Sequence, residues 1–121
     1  MRKLLLIAAA AALLAPGIAA AADISGKWAI DTNANGQDFK IECNFAQAGA
    51  ALTGTCGLAG GGDMPAALTG SVEGSTASWA YDVKFQDMPL HIAFKGDVAD
   101  KAMTGNMDVA GSSSPFKAAK Q

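Results

Sequence analysis

The sequence predicts an all-β fold, an eight-stranded antiparallel up-and-down barrel, and three observations favour it. Apolar and polar residues alternate with a period of two over short segments, which is typical of strands with one buried face. Residues that favour turns separate these segments, so neighbours in sequence should pair as hairpins. Residues 23–121 contain no helical apolar stripe of useful length. Eight strands that are each apolar on one face close most economically into a barrel.

The eight expected strands follow one another with short connections. They span residues 25–31, 38–46, 51–58, 66–73, 76–86, 89–99, 101–110 and 115–120. A glycine-rich loop at residues 59–64 and a serine linker at residues 112–114 separate two of the pairs. The pattern Leu/Met-Thr-Gly recurs at residues 52–54, 68–70 and 103–105 with its glycine inward, as the tight bends of a barrel require.

Both cysteines lie on the inward face of one hairpin, formed by the second and third expected strands. If the turn is Gly49-Ala50, Cys43 lies directly opposite Cys56 at a non-hydrogen-bonded pair, where Cα atoms are about 4.5 Å apart. That separation suits a disulfide. A turn at Ala48-Gly49, or a three-residue loop, would put the cysteines out of step, and two buried free thiols are the alternative. We expect a Cys43–Cys56 disulfide.

Residues 1–22 have the pattern of a secretory signal peptide. Arg2 and Lys3 give a positive start, an apolar run follows, and small residues lead to an expected cleavage point after Ala22. An uncleaved anchor is the competing interpretation, although the run is rich in alanine and interrupted at Pro16. We therefore expect residues 23–121 to form a single barrel domain in the periplasm or outside the cell, where an oxidised cysteine pair persists.

The exported part of the chain is weakly acidic. The whole chain has 11 acidic and nine basic residues, and of these only Arg2 and Lys3 lie in residues 1–22. The 11 acidic and seven basic side chains that remain give residues 23–121 a net charge of −4. Without a basic cluster, we expect no nucleic-acid partner and no membrane association after signal cleavage. The polar faces should point outward, which is the reverse of an outer-membrane barrel. The sequence predicts no oligomeric state.

Residues that commonly carry catalysis or bind metals are scattered. His91, the only histidine, is expected on the polar face of its strand as a solvated residue without a Ser or Cys partner. Two cysteines and one distant histidine do not make a metal-binding set, and the aspartates lack the spacing of a calcium loop. The glycine-rich loop lacks the Lys-Ser/Thr of a phosphate loop. We expect no enzyme, no cofactor and no metal.

Inward-facing aromatic residues make the barrel interior the candidate binding site. The residues expected there are Trp28, Phe39, Trp79, Tyr81 and Phe94. A barrel of this size is either filled by its own side chains or holds one small ligand. We expect a non-catalytic barrel that binds a small apolar or amphipathic molecule, and the alternative is a barrel that binds another protein.

Two stretches of the chain resemble the opening of avidin and streptavidin. Ile24-Ser25-Gly26-Lys27-Trp28 is followed by Ala-Gly-Ala-Ala-Leu-Thr-Gly-Thr at residues 48–55, and a later Leu-Thr-Gly precedes Trp79. The resemblance implies a barrel of the avidin or lipocalin type. It does not imply biotin binding, because Cys56 stands where avidins have the tyrosine that binds the biotin ureido oxygen, and residues 33–36 do not match their ligand-binding loop.

The same opening is also similar to that of small periplasmic inhibitors of secreted metalloproteases. Ser25-Gly26-Lys27-Trp28, followed by a cysteine, carries this similarity. Those inhibitors are eight-stranded barrels with one disulfide. The similarity therefore implies the protein-binding alternative, with residues 23–25 as the segment that would act on a protease.

Overall fold

The computed structural model describes residues 22–34, 36–58, 65–85 and 87–121. The expected signal peptide, apart from Ala22, and the glycine loop at residues 59–64 lie outside the described residues. The strands are β1 (Gly26–Ala34), β2 (Gln37–Ala48), β3 (Ala51–Leu58), β4 (Ala66–Glu73), β5 (Thr76–Phe85), β6 (Met88–Ala99), β7 (Ala102–Val109) and β8 (Ser112–Lys120). Among the described residues, no helix is long and apolar enough to cross a membrane.

The eight strands form a closed antiparallel barrel. Each strand pairs with the next in sequence, and β1 pairs with β8 to close the sheet. All neighbours are connected up and down, so the predicted fold class is confirmed. The order follows from the short connections, which leave a strand no partner nearer than the one beside it in sequence.

Two-residue turns set the register of the hairpins. Gly49 and Ala50 join β2 to β3, and Gly49 has a φ of 63° at the first turn position, as a type II′ turn requires. Ala110 and Gly111 join β7 to β8 with φ values of 51° and 85°, the two positive values of a type I′ turn. Both turn types match the right-handed twist of the strands, which keeps adjacent strands paired along their length.

The β2–β3 register places Cys43 directly opposite Cys56, and the two form a disulfide with Cα atoms 4.0 Å apart. Both side chains are buried, and Cys43 lies opposite Trp28 of β1. The predicted disulfide and the turn at Gly49-Ala50 are therefore confirmed. Closing a loop with a sequence separation of 13 stabilises the fold by about 3 kcal/mol on the chain-entropy estimate.

Strand β8 begins earlier than predicted, because residues 112–114 pair with β7 rather than forming a linker. The N–H of Gln121 donates to the carbonyl oxygen of Lys27 in β1. Because N–H groups alternate in direction along a strand, the N–H groups of residues 119 and 117 also point toward β1, and position 115 is the next in this series. Pro115 belongs to this series and has no N–H. It therefore ends the pairing with β1 and leaves the pairing with β7 intact. The neighbouring strand β1 extends to Ala34, beyond its predicted end at residue 31.

Aromatic rings fill the centre of the barrel. Trp79 stacks on Phe94 with ring centroids 4.9 Å apart and planes 9° apart. Phe45 and Phe116 meet Trp79 edge-on, at 4.9 Å and 5.9 Å. Tyr81 also stacks against Phe94, with ring centroids 6.1 Å apart. Such ring pairs stabilise a core beyond the area that they bury, by about 0.5–1.5 kcal/mol each.

Inward glycines make room for these rings. Three of them lie opposite an aromatic residue on the neighbouring strand, in the pairs Gly54–Phe45, Gly70–Trp79 and Gly105–Phe116. A Cβ atom added at Gly70 would lie 2.7 Å from the Cα of Trp79 and closer still to the carbonyl oxygen of Ser78. These are backbone atoms, so they cannot move aside without separating β4 from β5. In each Leu/Met-Thr-Gly repeat, the glycine thus lies opposite the residue whose aromatic ring enters the interior.

The two ends of the barrel differ. We call the end that carries the β2–β3, β4–β5 and β6–β7 turns the closed end, because Ile24 packs there with 0% exposure. We call the opposite end, where β1, β3, β5 and β7 finish, the open end. Phe39, Leu58 and Met88 reach the surface there, with exposures of 37%, 51% and 66%. Large apolar side chains are therefore exposed at one end of the molecule.

Candidate functional site: a groove at the open end

A groove of about 640 Å³ lies where β1 and β8 separate toward the open end. β1 pairs with β8 only from Trp28 to Thr32, whereas it stays paired with β2 as far as Ala34. The missing N–H of Pro115 is the reason that the β1–β8 pairing stops. We call this space the seam groove; its walls come from β1, β2, β7 and β8.

The apolar surface of the seam groove continues into the core. Phe39, Gly105, Pro115 and Phe116 provide it. Phe116 is only 2% exposed and meets Phe94 edge-on at 5.3 Å, so the groove ends on the aromatic interior. Thr32 is buried beside it, and its Oγ1 donates to the carbonyl oxygen of Pro115 at 2.9 Å. This bond fixes the point at which the two strands part.

Cross-strand pairs build the polar rim of the seam groove. The Nζ of Lys40 donates to Oδ1 of Asp31 at 3.0 Å, and Nδ2 of Asn33 donates to Oδ1 of Asp38 at 2.8 Å. Lys117 lies opposite Asp31 on β8. The Asp31–Lys40 pair is well exposed, so it contributes at most about 1 kcal/mol to stability. With two acidic and two basic side chains, the rim has no net formal charge.

The five aromatic residues predicted to bind a ligand do not lie together. Trp28, Trp79, Tyr81 and Phe94 are in the interior, each 5% exposed or less. Phe39 is not in the interior as expected, because its alternating position on β2 falls beyond the packed layers of the barrel. It is 37% exposed and lines the seam groove. Leu58, the last residue of β3, is likewise exposed at this end of the barrel.

The two tryptophans differ in their polar contacts. The Nε1 of Trp28 donates to the carbonyl oxygen of Ile24 at 2.9 Å in a buried hydrogen bond. The Nε1 of Trp79 is buried, and no described residue accepts a hydrogen bond from it. Leaving such a donor unpaired costs about 1–3 kcal/mol, and the stacking of Trp79 on Phe94 offsets part of this cost.

Tyr81 is buried among apolar side chains, with 5% exposure. Burial raises the pKa of Tyr81 from 10.0 to about 12, because a phenolate in this position would lose its hydration. The hydroxyl is therefore protonated at physiological pH and keeps its capacity to donate a hydrogen bond. Tyr81 is the only tyrosine of the chain.

His91 lies on the outer surface, where it faces Asp82 across the β5–β6 pair. Its Nδ1 is 2.7 Å from Oδ1 of Asp82, and the two side chains are 67% and 77% exposed. The sequence predicted the exposure of His91 and missed its carboxylate partner. In the described part of the chain, no three His, Cys, Asp or Glu side chains are placed to hold a metal ion.

Sequence reasoning missed most of the seam groove. The sequence pattern marked none of Thr32, Lys40, Pro115, Phe116 and Lys117 as part of a binding site. One signal was present: a proline inside a strand marks a position whose neighbour lacks a hydrogen-bonding partner. Pro115, read together with closure of β8 on β1, would have indicated where the sheet opens.

Comparisons with known proteins identified no relative of this chain. No protein-family model, no curated protein and no solved structure matches the chain. The closed eight-stranded antiparallel barrel is consistent with the architecture of avidins and lipocalins. The seam groove and the open end are therefore the features that bear on function.

Proposed function

We propose that this protein is an exported, non-catalytic β-barrel that binds a small amphipathic molecule in the seam groove. The observation that carries the proposal is the position of Phe39, a large apolar side chain that is 37% exposed and lines a groove of about 640 Å³. Known ligand pockets commonly measure about 300–1,000 Å³, are mostly apolar and have a few polar groups that orient the ligand. The volume of the seam groove lies in this range, and polar side chains border its apolar surface, but the groove is open to solvent along one side.

The lining of the seam groove indicates the class of ligand. Phe39, Pro115 and Phe116 offer contact to a hydrocarbon or aromatic part, while Asp31, Lys40 and Lys117 surround a polar part. Because the charges of the rim cancel, no strong field favours a polyanion or a polycation. A molecule with one apolar part and one polar end fits this arrangement better than a wholly apolar one.

The resemblance to avidin and to lipocalins supports the binding of a small molecule. Such barrels bind their ligands within or at the mouth of the barrel. In this chain, the aromatic rings of Phe45, Trp79, Phe94 and Phe116 occupy the centre. We therefore place the ligand at the open end, where the strands part, and carry over no ligand identity from those families.

The pattern of residues 1–22 and the disulfide support export. The Cys43–Cys56 disulfide is compatible with an oxidising compartment. We propose a periplasmic or secreted location.

The protein-binding alternative is less well supported. The segment that would act on a protease, residues 23–25, contains Ile24, which is 0% exposed. The Nε1 of Trp28 and the side chain of Gln47 hydrogen-bond to the main chain of Ile24. Insertion of this segment into another protein would require these contacts to break and the closed end to open.

A binding titration with two matched variants tests the proposal. The probe is anilinonaphthalene sulfonate, a small amphipathic dye whose fluorescence rises in apolar surroundings, and the variants are Phe39→Ser and Leu58→Ser. Both remove an exposed apolar side chain at the open end, but only Phe39 lines the seam groove. The dye can cover only the exposed 37% of Phe39, which corresponds to about 1 kcal/mol, so we expect Phe39→Ser to weaken binding about fivefold.

The Leu58→Ser variant should bind the dye within about twofold of the wild type. Equal weakening by the two substitutions would show that the dye adsorbs to any apolar surface of the open end. Unchanged binding in Phe39→Ser would contradict the seam groove as the site.

A further inference from the structure

The segment before β1 closes the barrel at the end opposite the seam groove. Ile24 is 0% exposed, and its carbonyl oxygen accepts the buried hydrogen bond from Nε1 of Trp28. Ala22, two residues earlier, is half-buried and packs against the core. The folded unit thus includes residues that precede the first strand.

The side-chain amide of Gln47 clamps this segment. Its Oε1 accepts from the N–H of Ile24 at 2.8 Å, and its Nε2 donates to the carbonyl oxygen of Ala22 at 2.7 Å. The two bonds lie on either side of one residue and use the acceptor and the donor of the amide together, as a neighbouring strand would. Nε2 also donates to the carbonyl oxygen of Gly49 at 3.0 Å.

A third bond holds Ala22 from the other side. Its N–H donates to the carbonyl oxygen of Gly74, in the β4–β5 turn, at 2.8 Å. Both backbone polar groups of Ala22 are therefore used by the fold. Cleavage after Ala22, the position that the sequence pattern suggested, would remove two hydrogen bonds and leave Gln47 with half of its clamp.

We propose that signal peptidase cleaves the peptide bond before Ala22, so that the mature chain begins with Ala22. This inference rests on the export proposed above. Ala19 and Ala21 then occupy the two small-residue positions that the enzyme recognises. In the hydrolysis, the C–N bond breaks, and water supplies the oxygen of the new carboxylate on Ala21 and both of its protons to the nitrogen of Ala22. The new α-ammonium group keeps a donor for Gly74.

The start of the exported protein tests the cleavage point. The full chain is expressed with its leader in a bacterium, and the product is recovered from the periplasm for intact-mass measurement and N-terminal sequencing. We expect a chain that begins at Ala22. A chain that begins at Asp23, or at any other residue, overturns the proposal. A soluble product that retains Met1 contradicts export itself, so the two failures are distinguishable.

A stability comparison tests whether Ala22 contributes to the stability of the fold, which is the physical reason for the proposed cleavage point. Two chains that begin at Ala22 and at Asp23 are released from fusions and unfolded with urea. Loss of two hydrogen bonds should lower the folding equilibrium constant of the shorter chain by about fivefold or more. Gln47→Ala should destabilise the longer chain more than the shorter one, because only the longer chain has the carbonyl oxygen that Nε2 binds. Equal stability of the two chains would overturn the inference.

Discussion

The ionisation of Tyr81 tests the packing of the barrel interior. Burial raises its pKa to about 12, against 10.0 for an exposed tyrosine. Because Tyr81 is the only tyrosine of the chain, the near-ultraviolet absorbance of tyrosinate reports this side chain alone. In an alkaline titration, we expect the native protein to ionise about two pH units above the same chain unfolded in guanidinium.

The raised pKa also makes stability depend on pH. Below pH 10 the tyrosine is protonated in both the folded and the unfolded chain, and the full stability is present. Between pH 10 and 12 the unfolded chain loses the proton while the folded chain keeps it, so the free energy of unfolding falls as the pH rises. A difference of about two pKa units corresponds to roughly 3 kcal/mol.

Urea unfolding of the wild type and of Tyr81→Phe across this pH range isolates the effect, since the other ionisable groups are common to both proteins. The wild type should lose about 2–3 kcal/mol relative to the variant between pH 9 and 12. Ionisation near pH 10 with an intact near-ultraviolet circular dichroism spectrum would refute the argument, because it would mean that the phenol is hydrated in the folded barrel.

Further substitutions test the contacts that shape the interior, each by urea unfolding. Gly70→Ala should destabilise the barrel by about 1–3 kcal/mol or more, because its Cβ would press on the backbone of β5; a neutral effect would mean that the strands separate easily. Trp28→Phe should cost about 1–3 kcal/mol more than Trp79→Phe, since only the first breaks a hydrogen bond of the indole N–H; the reverse order would contradict the assigned contacts. Replacement of Cys43 and Cys56 together by Ala should cost about 2–3 kcal/mol, and peptide mapping without reductant should find the native peptides linked; freely alkylated thiols would disprove the bond.

Local pattern was sufficient to predict the hairpins. The alternation on both sides of the turn, with Gly49-Ala50 as the simplest loop, predicted the register of β2 and β3 and the Cys43–Cys56 disulfide that the structure shows. Side-chain facing has a period of two, and a two-residue turn leaves only one register, so short-range information determines the pairing. The same reasoning predicted the buried positions of Trp79 and Phe94.

Long-range pairing limited the prediction of the site. The seam groove exists because β1 and β8, at opposite ends of the barrel sequence, stop pairing at Thr32. No local pattern states where two distant strands part, so the position of Pro115 and Phe116 beside a groove was missed. Alternation also predicts the side of a strand and not its depth, which is why Phe39 was expected in the interior. The hydrogen bond from Gln47 to the carbonyl oxygen of Ala22 is a similar long-range contact.

Chemical-shift mapping of ligand binding tests the central claim most directly. The isotope-labelled protein is titrated with anilinonaphthalene sulfonate, and backbone amide and indole N–H resonances are followed. We predict that the largest shifts fall on Thr32, Phe39 and Phe116, which line the seam groove, while the indole resonance of Trp28 at the closed end stays in place. Shifts centred on Leu58, or spread evenly over the barrel surface, would contradict a ligand site in the seam groove.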